Sequence, residues 1–212
     1  MMDSALGLLD GMMSRDSVSW NAIIHGFLSR EDYEFGLGLF MEARVSNFVP
    51  NVSTLILVLQ ACWKLEAFGE GRSTHGFITK SGFSSVASVQ SSLLNLYVKF
   101  HDLGSAQTLF DEMCDRDVIS CSALVGGYVQ CGAPADAMLL FRSMYTDGSI
   151  RMDGFAAVSV LQACTSAGDL DNGRSVHGHL IRGGLEGDVF VGNSLVDMYS
   201  KCLHMDSALA VF

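Results

Sequence analysis

Along residues 17–45 the apolar side chains fall into two stripes separated by a polar break. Trp20, Ile23, Ile24 and Phe27 follow the i, i+3, i+4, i+7 spacing of a helix with one buried face. The run SREDY at 29–33 interrupts that spacing, and Leu37, Phe40 and Met41 then open a second stripe. A hundred residues later Ala137, Leu140, Phe141 and Met144 repeat the second stripe. The pattern predicts pairs of amphipathic helices joined by short polar turns.

The pairs recur with a long period. LVLQACWKLEAFGEGRSTHGFITKSGF from Leu57 returns as SVLQACTSAGDLDNGRSVHGHLIRGGL from Ser159, with Gln60, Cys62, Arg72 and His75 matched by Gln162, Cys164, Arg174 and His177 at an offset of 102. VSWNAIIHGF from Val18 aligns with ISCSALVGGY from Ile119 at 101, and SSLLNLYVKF from Ser91 with NSLVDMYSKC from Asn193 at 102. MDSAL at 2–6 recurs at 205–209. Turn-like SRD at 14–16 and DRD at 115–117 subdivide this period. The expected repeats are 17–51, 52–86, 87–117, 118–153 and 154–188, flanked by partial repeats 1–16 and 189–212. One helix pair cannot bury its own apolar face, so stacking predicts an all-α fold, a right-handed α-solenoid of antiparallel helix pairs. Both ends fall inside a repeat, so a fragment of a longer array is expected.

Composition narrows the function classes. Hydrophobic residues make up 49% and charged residues 17%, which excludes a disordered, charge-rich chain. A net charge of −10 argues against nonspecific, charge-driven binding of nucleic acid. The six cysteines form no CxxC spacing and read as reduced, semi-buried thiols. No apolar run approaches the ~18–20 residues that span a bilayer, and the acidic start MMDSALGLLDGMMSRD is unlike a secretory signal or an organellar presequence.

VSWNAIIHGF, LFDEMCDRDVIS and GRSVHGHLIRGGLEGDVFVGNSLVDMYSKC closely resemble pentatricopeptide repeat proteins of the plant type with alternating P, L and S repeats, and the 35, 35, 31 rhythm of lengths fits that subclass. The tetratricopeptide pattern, with its ~34-residue period, is not matched. The resemblance implies binding of single-stranded organellar RNA, one base per repeat. In that family the fifth and last residues of a repeat read the base. Carried over, the pairs are Asn21 with Asn51, Ser91 with Asp117 and Ser122 with Asp153, with Asn193 opening a further pair. The implied target is about 5′-C-x-G-G-x-Y-3′. Ile56 with Val86, and Val158 with Asp188, depart from the code because Ile and Val cannot hydrogen-bond a base edge.

The resemblance also makes the second residue of a repeat an apolar spacer between bases, a place taken by Val18, Ile119, Phe155 and Phe190 but poorly by Ser53 and Ser88. Lys64, Lys99 and Lys201 occupy one equivalent place suited to phosphate contact, broken elsewhere by Ser29, Gln130 and Ser166. It implies a mitochondrial or plastid location, the mitochondrion slightly favoured, and RNA-editing partner proteins. Neither the HxE nor the CxxC of an editing deaminase occurs in a usable arrangement, so the expected chain is a binding module without catalytic residue, metal, cofactor, small-molecule substrate or membrane contact.

Alternative readings attach to the same residues. Asp16, Asp117, Asp153 and Asp188 are natural helix N-caps. His75 and His177 read as structural, because the i, i+2 pair His177 and His179 points to different helix faces. Cys62 and Cys164 read as packed small residues, and Gly71 and Gly173, inside helical stretches, cost stability unless a close helix approach needs them. A protein- or peptide-binding scaffold is the competing function, since helix-pair arrays do both.

Overall fold

The computed structural model describes residues 16–46, 48–114, 116–145 and 153–211, with the side chains of 144 and 145 excluded. Residues 1–15 of the partial repeat 1–16, Asp115, the side chain at the stripe position Met144 and the terminal Phe212 lie outside the described residues. Among these residues there are twelve helices and no strand: α1 (Ser17–Leu28), α2 (Tyr33–Ala43), α3 (Val52–Lys64), α4 (Phe68–Lys80), α5 (Ala87–Lys99), α6 (Leu103–Glu112), α7 (Val118–Gln130), α8 (Pro134–Tyr145), α9 (Gly154–Ala167), α10 (Leu170–Gly183), α11 (Val189–Lys201) and α12 (Met205–Val211).

The chain divides into two compact bodies, 1–100 and 101–212, so the boundary falls between α5 and α6. In the N-terminal body α3 packs on both α1 and α5, while α2 and α4 lie against it from the side. The C-terminal body repeats the plan, with α9 between α7 and α11 and against α8 and α10. Odd-numbered helices therefore form a continuous layer within each body.

Apolar positions read from the sequence supply the core. Trp20, Ile24 and Phe27 are buried in α1, Leu37 and Phe40 in α2, and Ala137, Leu140 and Phe141 in α8. Ile23, on the edge of its stripe, is only half-buried. Gly71 and Gly173 sit where α4 meets α5 and α10 meets α11: a Cβ at Gly71 would stand 3.0 Å from Leu96 Cδ2, and one at Gly173 2.5 Å from Met198 Sδ. Leu96 and Met198 occupy equivalent positions, so both glycines answer the same close approach.

Each turn inside a helix pair holds one residue at positive φ, namely Glu31, Glu66, His101, Gly132, Gly168 and Leu203. A side chain there costs roughly 1–2 kcal/mol against glycine. Leu203 is also exposed, at 89%, so it has little packing to lose. Leu203→Gly is expected to raise the thermal midpoint, by a free-energy gain of about 1 kcal/mol, in a calorimetric melt; an unchanged or lower midpoint would show that Leu203 makes a contact worth its strain.

Candidate functional site

The N-terminal parts of the odd-numbered helices carry the candidate base-reading and spacer residues, and their geometry begins with capping. A helix leaves its first N–H groups without backbone partners, and a short polar side chain before it can accept from them. Asp16 accepts from the Ser19 N–H at 2.8 Å, Asn51 from Thr54 at 2.7 Å, Asp117 from Ser120 at 2.7 Å and Asp153 from Ala156 at 2.7 Å. Asp188 accepts from both Phe190 and Val191. The bond from Ser19 holds the Asp16 carboxyl below its ordinary range. Val86, before α5, offers no such side chain. Every capping aspartate named here engages through one oxygen, Oδ1, and keeps Oδ2 as a further acceptor. Asn51 uses its Oδ1 in the same way, with its amide donors unspent.

One candidate pair is physically joined. The Asn51 N–H donates to Asn21 Oδ1 at 3.0 Å, and Asn21 Nδ2 donates to the carbonyls of Ser17 at 2.7 Å and Val49 at 3.0 Å. This locks the fifth residue of the repeat beside its last, leaving one Oδ1 lone pair on Asn21 uncommitted. Ser91, in the N-terminal body, is half-buried and donates to the Ala87 carbonyl at 3.0 Å. Asp117 belongs to the other body. Asn193 is exposed.

Ser122 sits otherwise than its register suggests. It is 2% exposed and its hydroxyl donates to the Val118 carbonyl at 2.6 Å. Helix α9 packs against α7: one turn further along α7, a Cβ at Gly126 would lie 3.8 Å from Ser159 Oγ. Asp153 remains exposed.

The four second-position residues Val18, Ile119, Phe155 and Phe190 are exposed by 75, 64, 68 and 76%, each in the first turn of its helix. Ser53 and Ser88 are exposed at the equivalent places. Four large apolar side chains held in solvent at one helical register are not accounted for by core packing.

Between α9 and α11 runs a polar cleft of about 310 Å³, lined by Val158, Gln162, Thr165, Ser166, Asn193, Ser194, Asp197 and Lys201. Lys201 Nζ is paired there with Asp197 Oδ2 at 3.0 Å, one turn away. In the N-terminal body Lys64 and Lys99 instead lie over the ring of Trp63, 4.5 and 5.7 Å from its centroid. Trp63 and Asp197 escaped the sequence reading. Trp63 lies seven residues after Ile56, and Asp197 four after Asn193, so extending the coding positions along their own helix stripe marks both.

The equivalent histidines each face a tyrosine on the next odd-numbered helix. His75 Nδ1 is 2.7 Å from the Tyr97 hydroxyl and His177 Nδ1 2.9 Å from that of Tyr199. Burial holds the His177 imidazole below its ordinary pKa, so the folded chain takes up this proton less readily than the unfolded one. Stability then falls as pH drops through the free-imidazole value of about 6.5 and levels off below the folded pKa. A urea midpoint measured at about pH 7.5 and about pH 5.5 should fall on acidification, and His177→Gln should flatten that fall. Burial likewise pushes the thiols of Cys62 and Cys121 to about 11 and that of Cys164 to about 12, which leaves them inert as nucleophiles at neutral pH. Among the described residues no group of three His, Cys, Asp or Glu side chains is arranged to hold a metal ion.

Comparison with known proteins supplies the family. The family model of the PPR repeat matches residues 18–48, 91–118 and 119–149. A chloroplastic pentatricopeptide repeat-containing protein of Arabidopsis thaliana, At1g11290, is 34% identical over 211 residues, covering 100% of this chain and 26% of its own. A mitochondrial one from the same plant, At3g13770, is described as putative in its name and is 33% identical over 211 residues, covering 100% and 33%. The chain thus spans about a quarter to a third of the length of such relatives. Among solved structures, a cysteine-to-serine variant of the pentatricopeptide repeat protein PPR10 in complex with an 18-nt psaJ RNA element matches with a TM-score of 0.75 at 20% identity, over 100% of this chain and 32% of that one. PPR10 from maize matches at 0.57 and 16%, over 100% and 36%. The structural likeness shows the fold, an α-solenoid of helix pairs. Three matched repeats and similarity along the whole chain to named relatives at 33–34% identity show that the chain belongs to the pentatricopeptide repeat family.

Proposed function

We propose that the chain is a non-catalytic module that binds single-stranded RNA selectively, in organellar RNA processing, as the targeting part of an array of alternating P, L and S repeats that recognises editing sites. The observation that carries this reading is the Asn21–Asn51 link, which sets two side chains with complementary spare capacity at one repeat junction. Asn21 keeps an acceptor lone pair and Asn51 keeps two amide donors, a set that complements the donor and acceptors on the Watson–Crick edge of a pyrimidine. Asp117 and Asp153 present a free carboxylate oxygen, which accepts from the N1–H and N2 amino group of guanine and repels the N1 acceptor of adenine. With the base preference that the family resemblance implies, the reading is 5′-C-x-G-G-x-Y-3′, with Ser91 and Asn193 as partners and Val18, Ile119, Phe155 and Phe190 between bases. Ser122, buried as it stands, contributes only when a bound strand exposes it. Lys64 and Lys99 serve the phosphates more readily than Lys201, whose charge Asp197 offsets.

Support comes from the RNA complex of PPR10, whose fold this chain shares, and from relatives named for the chloroplast and the mitochondrion. The net charge of −10 favours the competing reading, a groove for a protein or peptide. Equilibrium binding to the stated strand and to a scrambled one separates them. The stated strand should bind at least tenfold tighter, with affinity falling as salt rises. Equal binding of both strands, or recovery of a protein partner unaffected by nuclease together with no RNA affinity, would overturn the proposal.

A further inference from the structure

The two repeats with apolar coding positions, 52–86 and 154–188, align residue for residue but differ in charge and aromatic content along one stripe. Ile56, Gln60, Trp63 and Lys64 on α3 correspond to Val158, Gln162, Thr165 and Ser166 on α9, and Asn95 and Lys99 on α5 to Asp197 and Lys201 on α11. In the C-terminal body the result is a neutral polar cleft in which the lysine is already paired. In the N-terminal body Lys64 and Lys99, from two successive odd-numbered helices, converge on the half-buried indole of Trp63. Both lysines are exposed, and among the described residues neither is in an ion pair.

Ile56 and Val86 have no hydrogen bond to offer a base edge, so this repeat has no means of telling one base from another. What it holds instead is an aromatic face and two ammonium groups, which fit the features all nucleotides share: a π-face and a phosphate. We propose that Trp63, Lys64 and Lys99 form a nucleotide anchor that holds one nucleotide of single-stranded RNA whatever its base, by stacking on the indole and pairing with adjoining phosphates. The site rests on the RNA-binding reading above. Without RNA the lysines lie over the indole and cover it through cation–π contact. Phosphate oxygens are stronger partners for an ammonium group, so a bound strand draws both lysines away and opens the ring.

The whole 212-residue chain carries its own reporter. It has two tryptophans, and Trp20 is 3% exposed, so quenching of emission by added RNA reports on Trp63. Both the C-x-G-G-x-Y strand and its scrambled form are expected to quench, and Trp63→Phe to change the signal by removing the indole that responds. Trp63→Leu should weaken both strands by the same factor of about five or more. Lys64→Gln combined with Lys99→Gln, at exposed positions that leave folding intact, should lower the salt slope of binding by about 1.4. If the parent chain binds the stated strand while Trp63→Leu and the double lysine variant leave affinity and salt slope unchanged, the anchor is overturned and selective reading stands. A loss confined to the stated strand overturns its indifference to base. If the parent chain binds neither strand, the anchor falls together with the RNA reading.

Discussion

Replacing Phe40 by alanine is expected to cost the chain about 3–5 kcal/mol of stability, the larger of the two strongest effects foreseen here. Phe40 is 0% exposed and meets Phe48 and Phe77 edge to face, at 6.2 and 5.7 Å between centroids. Arg44 lies over the Phe40 and Phe77 rings and donates to the Ser73 hydroxyl and carbonyl, so a single cluster ties α2 to α4. Removing the ring opens a cavity and strips Arg44 of one face of its stacking. Against a typical total of about 5–15 kcal/mol, that loss is a large share. It falls on a junction between repeats, where stability in such arrays is set. Urea unfolding followed by circular dichroism should show a lower midpoint and a broadened or split transition as the first pair uncouples. Phe35→Ala is the control: Phe35 is 41% exposed and stacks only on Phe27 among the described aromatic pairs. Equal losses for the two variants would show that the Phe40 cluster has no special standing.

Asp117→Asn should shift base preference at one position from G towards A, by a discrimination of about 1–3 kcal/mol, or roughly five- to 150-fold. A carboxylate only accepts, whereas an amide also donates to the N1 of adenine. The exchange is clean because capping survives it. Asn51 caps Thr54 at 2.7 Å, the same distance at which Asp117 caps Ser120, and the two residue types rank alike as caps. The unfolding midpoint should therefore stay put. Dissociation constants for strands differing at that single base measure the shift; an unchanged preference at unchanged stability would remove Asp117 from the reading set.

Much of the architecture follows from local signals. The i, i+3, i+4, i+7 stripes mark α1 and α2, and the aspartates at 16, 117, 153 and 188 mark helix starts, because both depend on neighbours within one turn. Contacts between helices were not legible in the same way. Nothing near Ser122 in the chain signals its burial. His75 and His177 read only as structural, and their tyrosine partners lie 22 residues on, visible once α4 and α10 are packed. Equivalence of Lys64, Lys99 and Lys201 was apparent from spacing, yet the unlike fates of these lysines depend on Trp63 and Asp197. Spacing places a side chain on a face; its partners decide what charge remains available there.

On the RNA-binding reading proposed above, the junction residues do double duty, and this limits how the protein can change. A residue that must start a helix is drawn from a short alphabet, chiefly Asp, Asn, Ser and Thr. Asp and Asn codons differ by a single nucleotide, so drift between them crosses no barrier in folding. New targets can be explored along such a neutral path while the scaffold stays intact. On that reading a change to a hydrophobic residue at the same place would remove the letter and the cap together; Val86, before α5, supplies neither.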